Sequence, residues 1–291
     1  MALAFLPGCT HRQPTAPPAG SYFGPTDSLN EVIDKINANN ELLPTLWARF
    51  AYSALIIDPQ SGKTTELFEN TGNSLLYRGP GELRLRFNKT LVGVVLDIGV
   101  NRERYWFAAT PPKGDGQMYW GLLNKHQPGD PSQLPIQPES ILQVLSISTL
   151  ITDLLADPAP LLRFNNDADA YMLSWSTRAQ DRHFVLREVW YDRKTLHPIL
   201  VLLYDRDGRV ILRAYLRKHV PVPIADPQTP SPEIASELDM FFPESKSRLL
   251  LNLQDIAVTR SGAPNDASFR FYIPESISPE KVKQVDAETQ N

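Results

Sequence analysis

Two long stretches with a two-residue hydrophobic period, parted by one apolar stretch without it, constrain this 291-residue chain more than any other feature. Between Thr45 and Leu123, Leu83, Leu85 and Phe87 alternate with Arg84, Arg86 and Asn88. Turn signals divide the stretch at Asp58-Pro59-Gln60-Ser61-Gly62, Gly79-Pro80-Gly81 and Lys113-Gly114-Asp115-Gly116. Successive side chains of a strand point to opposite faces, so the pattern predicts an antiparallel meander with one buried face. The period returns from Leu161 to about Ile273. There, Phe184-Val185-Leu186 leads to Trp190-Tyr191, and Ile199 to Tyr204 is apolar on both faces. Asp205-Arg206-Asp207-Gly208 has the composition of a tight hairpin turn. Val210, Leu212, Ala214 and Leu216 then oppose Arg213 and Arg217, Leu249, Leu251 and Leu253 alternate with Asn252 and Gln254, and Phe269, Phe271 and Ile273 predict a last strand.

Two helices are predicted. Leu29, Val32, Ile33, Ile36 and Leu43 recur at helical spacing, with Asp27 or Ser28 as N-cap, Glu31 in the first turn and Pro44 as the stop. Pro138-Glu139-Ser140 opens the second, with Pro138 suited to the first helical position and Asp157-Pro158 closing it. Ile141, Leu142, Val144, Leu145, Ile147, Leu150, Ile151, Leu154 and Leu155 surround most of a helix over 139–155, which must therefore be largely buried. Residues 10–28 are rich in Pro, Gly, Ser and Thr and predict a flexible tether. Residues 29–276 read as one domain, and the polar tail 277–291 is expected to fray.

Composition narrows the function. Hydrophobic residues make up 42% of the chain, enough for a core, while 29 basic against 33 acidic residues speak against nucleic acid as a partner. A single cysteine rules out an internal disulfide and a cysteine-rich zinc site. No stretch approaches the roughly 18 apolar residues of a spanning helix. Ser61-Gly62-Lys63-Thr64 lacks the upstream glycine of a phosphate-binding loop, since position 57 is Ile57, and reads as a hairpin turn. Asp205-x-Asp207-Gly208 lacks the remaining ligands of a calcium loop. His11, His126, His183, His197 and His219 are scattered singly, without metal-ligand spacing. No nucleophile–base or acid-pair constellation is visible, so neither an enzyme nor a cofactor is expected.

The one cysteine closes Phe5-Leu6-Pro7-Gly8-Cys9, ahead of a polar, Pro-rich spacer. This run resembles the lipobox of bacterial lipoproteins, which implies a diacylglyceryl thioether on Cys9 and a membrane anchored through it. Residues 1–9 would be a truncated signal, because Met1 to Leu6 is shorter than the roughly 7–15 apolar residues of a secretory signal. Read without the resemblance, the same residues are an unstructured terminus with an incidental thiol.

The order helix, meander, apolar helix, meander resembles the LolA/LolB-like lipoprotein carriers. Asn37-Ala38-Asn39-Asn40 followed by Leu46-Trp47-Ala48-Arg49-Phe50 looks like the family's helix-to-strand start. Leu75-Leu76-Tyr77-Arg78-Gly79-Pro80-Gly81-Glu82-Leu83-Arg84-Leu85 looks like its strand ending in a basic residue and proline, although Gly79 separates the two here. Val95-Leu96-Asp97-Ile98-Gly99 with Tyr105-Trp106-Phe107 is similar to its Val-x-Asp-Gly strand and following Trp, with Ile98 intruding. Phe269-Arg270-Phe271-Tyr272-Ile273-Pro274 resembles its final Phe-x-Phe-x-x-Pro. The resemblance implies a mainly β (α+β) fold, an unclosed, strongly curved antiparallel half-barrel with covering helices. It also implies that Arg78 holds a lid through hydrogen bonds to backbone carbonyls; a solvent-exposed hairpin arginine is the other reading. Cys9 leans toward the lipid-anchored LolB-like branch. Thr10, where an inner-membrane retention signal would place aspartate, implies the outer membrane of a bacterial envelope, facing the periplasm.

An unclosed curved sheet leaves an apolar concave face that something must cover. Loosely packed helices would admit acyl chains of a lipid or lipoprotein, with the 139–155 helix as a gate; tightly packed helices would fill the space. Leu83, Leu85, Phe87, Trp106, Ile141, Leu145 and Ile151, with Arg78, are the expected cavity or lid residues. The expected function is binding of a hydrophobic ligand for lipid or lipoprotein transfer, the alternative being a membrane-anchored interaction module without a ligand.

Overall fold

The computed structural model describes residues 21–57, 62–111, 115–125, 134, 136–151, 153, 156–179, 182–224, 226, 228–258 and 264–286. Cys9, most of the tether, and Leu154 and Leu155 of the expected second helix lie outside the described residues. Helix α1 spans Leu29–Asn40. Six strands follow, β1 Thr45–Ile57, β2 Thr64–Arg78, β3 Glu82–Lys89, β4 Gly93–Val100, β5 Arg104–Ala109 and β6 Gln117–Leu122. After helix α2, Pro138–Leu145, come β7 Ala159–Asn165, β8 Ala170–Ala179, β9 Arg182–Asp192, β10 Pro198–Tyr204, β11 Val210–Pro221, β12 Glu233–Phe242 and β13 Ser247–Ala257, and finally β14 Val282–Gln284.

The fourteen strands of the described residues form one sheet in the order β14-β6-β5-β4-β3-β2-β1-β13-β12-β11-β10-β9-β8-β7. The two meanders therefore join where β1 pairs with β13, with Phe50 opposite Leu253 and Tyr52 opposite Leu251. Strands β14 and β7 are its two edges, so the sheet is not closed into a barrel. Register shifts between β1 and β2, β3 and β4, β8 and β9, and β10 and β11 mark bulges, the local defects that bend strands and raise twist. The architecture is the mainly β, unclosed antiparallel sheet with helices that the sequence predicts.

One face of the sheet carries the main core. Leu83, Leu85 and Phe87 of β3 sit with Leu96, Ile98 and Val100 of β4, and with Val201, Leu212 and Leu251 of the other meander. Val32, Ile33 and Ile36 of α1 and Ile141, Val144 and Leu145 of α2 pack into the same cluster. Helix α1 starts at a capping box, the Ser28 N–H donating to Glu31 Oε2 and the Glu31 N–H to Ser28 Oγ.

Both helices stop earlier than predicted. Helix α1 ends at Asn40 rather than Leu43, and α2 ends at Leu145, where Ser146 takes a left-handed conformation (φ 53°). Ser146, Ile147, Ser148 and Thr149 are weak helix formers. Side chains of α1 then supply backbone partners that continued helix would otherwise have supplied. Asn40 Nδ2 donates to the carbonyls of Ser146 (3.1 Å) and Ser148 (2.9 Å). Asn37 Nδ2 donates to Leu150 O, and the Leu150 N–H donates to Asn37 Oδ1. Asn39 makes the same two-way exchange with Glu233 of β12.

The C-terminal segment also departs from expectation. Phe269, Phe271 and Ile273 form no strand; a short 3₁₀ turn at Asp266–Phe269 runs into extended chain. Its carbonyls bond to side chains instead of a ladder: Arg84 Nη1 donates to Ser268 O and Arg270 O, and Asn101 Nδ2 to Phe269 O. Residues 264–286 cover the outer face of β3 to β6, and the expected frayed tail closes with β14 pairing parallel to β6, Val282 opposite Met118.

Candidate ligand cavity

The concave side is filled in one region and hollow in another. Beside β3 it is packed: Leu83, Leu85 and Phe87 are each 0% exposed, and the Phe87 ring meets Phe50 at 5.0 Å and Tyr52 at 4.8 Å, edge to face. Helix α2 rests on β3, β4 and β5. Beyond it the chain leaves helical geometry at Ser146 and crosses toward β7. Between α2, this crossing and strands β7–β11 lies a cavity of about 410 Å³. Its volume falls within the roughly 300–1,000 Å³ usual for small-molecule sites. The sheet side is apolar, from Trp175, Leu186, Leu203 and Ile211; Leu150 and Ile151 come from the crossing.

Two ionisable side chains on this wall are half-buried. Burial pushes the Glu139 carboxyl, in the first turn of α2, up to about 7. Arg187 pairs in register with Trp175, and its guanidinium stands 4.9 Å from the centre of that ring. Arg187 Nη2 donates to Gln143 O (3.0 Å) and Ser146 Oγ (2.9 Å), at the C-terminal end of α2 where the helix dipole favours a cation. Burial lowers the Arg187 pKa from its ordinary value. Tyr191, further along the same face of β9, is 1% exposed, and burial pushes its hydroxyl up to about 12.

Of the residues expected at a binding site, Ile151 lines this cavity and is 67% exposed at its mouth. Ile141 and Leu145 are core residues of α2 and, with Leu83, Leu85 and Phe87, do not line it. Trp106 faces the opposite side of the sheet. It pairs with Gly99 and Trp120, and packs with Ala108, Met118, Ile277 and Phe271 under the C-terminal segment. Its Nε1 donates to Asp97 Oδ1 at 3.0 Å, and a Cβ on Gly99 would stand 2.1 Å from its ring. The Asp97, Gly99 and Trp106 of the quoted motif are thus one packed unit.

Arg78 has carboxylates, not carbonyls, as its hydrogen-bond partners: Nε donates to Glu82 (2.6 Å) and Nη1 to Asp266 (2.7 Å). Carbonyl holding falls to Arg84, which grips Ser268 O and Arg270 O while its Nε and Nη2 fork onto Asp97 at 3.1 and 2.6 Å. Such a buried pair is tolerable because its remaining polar atoms are bonded. Arg187 escaped the sequence reading. Its inward position was legible from Val189 and Tyr191 two and four residues on, but apolar Leu186 and Trp190 blur the period. The fold also stacks two scattered histidines, His197 and His219, with ring centres 4.3 Å apart.

Among the described residues no three His, Cys, Asp or Glu side chains converge as a metal site requires, and no helix is long and apolar enough to cross a membrane. No family model and no curated protein sequence matches the chain. Solved structures do resemble it. A Vibrio parahaemolyticus domain named for outer membrane lipoprotein sorting is 13% identical, with 82% of this chain and 94% of that one covered and a TM-score of 0.47. A LolA superfamily protein from Nitrosomonas europaea is 11% identical over 84% of this chain and 99% of its own, with a TM-score of 0.49. A DUF1329 family protein from Desulfovibrio piger is 12% identical over 84% and 98%, with a TM-score of 0.44.

Proposed function

We propose that this chain is a bacterial envelope protein that binds an acyl chain, of a lipid or a lipoprotein, without covalent chemistry. The observation that carries the reading is the 410 Å³ cavity whose sheet wall is Trp175, Leu186, Leu203 and Ile211. Each methylene moved from water into such a wall contributes about 0.8 kcal/mol, so ten of them contribute about 8 kcal/mol before ordering costs. The ligand needs no hydrogen-bond pattern along its chain. In this reading Cys9 carries lipid and tethers the domain to the periplasmic side of the outer membrane, and the cavity serves transfer.

Titration with the neutral fluorophore N-phenyl-1-naphthylamine tests the cavity. The wild type is expected to bind it at micromolar concentration. Ile211→Trp, which puts an indole into the space, is expected to weaken uptake at least tenfold with an unchanged circular dichroism spectrum. No uptake by the wild type would overturn the reading and leave an interaction module.

A further inference from the structure

We propose that the cavity selects amphiphiles with an anionic head, and that Arg187 binds the carboxylate or phosphate while the apolar wall takes the chain. The inference rests on the cavity reading above and adds the chemistry of the ligand's polar end.

The argument begins with what Arg187 lacks. Its Nη2 is occupied by Gln143 O and Ser146 Oγ, but its Nε is buried without a hydrogen-bond partner, and Nη1 makes no hydrogen bond. Among the described residues no carboxylate oxygen lies within 4.0 Å of the guanidinium. Arg84, on the other face of the sheet, shows the ordinary arrangement: it is 1% exposed and forks onto Asp97. A half-buried guanidinium whose Nε is shut off from water with no anion beside it is costly, and the helix end it caps accounts for one nitrogen only. An anionic oxygen suits the remaining N–H groups, because a hydrogen bond from a charged donor to a carboxylate or phosphate oxygen is about twice as strong as one between neutral groups.

The surroundings fit the same ligand. Trp175 lies under the guanidinium, and Leu186, Leu203 and Ile211 continue the wall as an apolar surface for an alkyl chain. The Tyr191 hydroxyl, four residues further along the inner face of β9, is buried with no hydrogen-bond partner among the described residues. Two carboxylates share the wall. Asp157 is exposed and accepts a hydrogen bond from the Thr177 hydroxyl. Burial raises the Glu139 pKa and favours its neutral form, which limits its repulsion of an anion.

The test compares cis-parinaric acid with its methyl ester at pH 7 by fluorescence titration of the full chain, using wild type, Arg187→Met and Arg187→Lys. The wild type is expected to prefer the acid at least tenfold. Arg187→Met should abolish the preference while keeping ester affinity within twofold, and Arg187→Lys should retain part of it. Displacement of bound parinaric acid by lysophosphatidic acid or by oleate then tells a phosphate head from a carboxylate one. Equal wild-type affinity for acid and ester overturns the proposal and leaves the apolar cavity standing. So does an equal loss of both ligands in Arg187→Met, the mark of an arginine that only caps α2. Failure of the wild type to bind either probe overturns the cavity reading together with this one.

Discussion

Gly99→Ala is the substitution whose cost the structure defines most closely. The added Cβ would stand 2.1 Å from Trp106 Cζ2, 2.5 Å from Cε2 and 2.7 Å from Cη2, so the indole must move by more than an ångström. It has nowhere to go. Trp106 is 1% exposed, bonded through Nε1 to Asp97, and faced edge-on by Phe271 at 5.9 Å. Overpacking a filled site costs about 1–3 kcal/mol, and losing a hydrogen bond to a charged acceptor about 1.5–3 kcal/mol. Replacing glycine in a strand returns about 0.5–1 kcal/mol, which leaves an expected loss of about 2–5 kcal/mol. Urea unfolding at 25 °C measures it, with Gly81→Ala as control. A Cβ there meets nothing within 4 Å, so its effect should stay within about 0.5 kcal/mol. In a Trp106→Leu background the alanine at 99 should cost little, giving a coupling energy of at least about 2 kcal/mol. A Gly99→Ala protein as stable as wild type, or a coupling near zero, would refute the packing argument.

Three further outcomes are expected. Burial raises the Glu139 pKa from 4.5 to about 7, so the fold favours the protonated carboxyl. Its stability contribution is full below pH 4.5 and is lost as pH rises through about 7, by roughly 2–3 kcal/mol after allowance for partial exposure. Glu139→Gln should therefore leave stability at pH 4.5 nearly unchanged and raise it by that order at pH 8, and equal effects at both pH values would contradict the assignment. Asp97→Ala should cost about 3–5 kcal/mol in urea unfolding, because it strands the buried Arg84 guanidinium, and a loss under 1 kcal/mol would show that water reaches it. In a diderm host expressing the chain with a full secretion signal, Cys9→Ser should release the protein from membranes, and an unmodified Cys9 in the wild-type mass spectrum would remove the anchor.

Several features were legible from neighbouring residues because they are local. The alternation of Leu83, Leu85 and Phe87 with Arg84 and Arg86 sorts β3 into two faces whatever else the chain does. Ser28 and Glu31 start α1 through bonds spanning three residues, and Gly208 (φ 77°) turns β10 into β11. Other features arise only when distant segments meet. Trp106 lies on the face opposite Tyr105 and Phe107, as alternation requires, yet that face is dry only because residues 264–286 fold across it. Helix α2 stops at Ser146 because Asn37 and Asn40 of α1 take over the backbone groups that follow. An apolar count over 139–155 cannot anticipate that, since burial and helicity are separate consequences of the same residues. The hollow beside β7–β11 and the filled core beside β3 are built from the same Leu, Ile, Val and aromatic types, so composition does not separate them. Arg187 reads as one more charged residue in a strand; only the tertiary arrangement buries its Nε, sets it over Trp175 and keeps every carboxylate of the described chain beyond ion-pair distance.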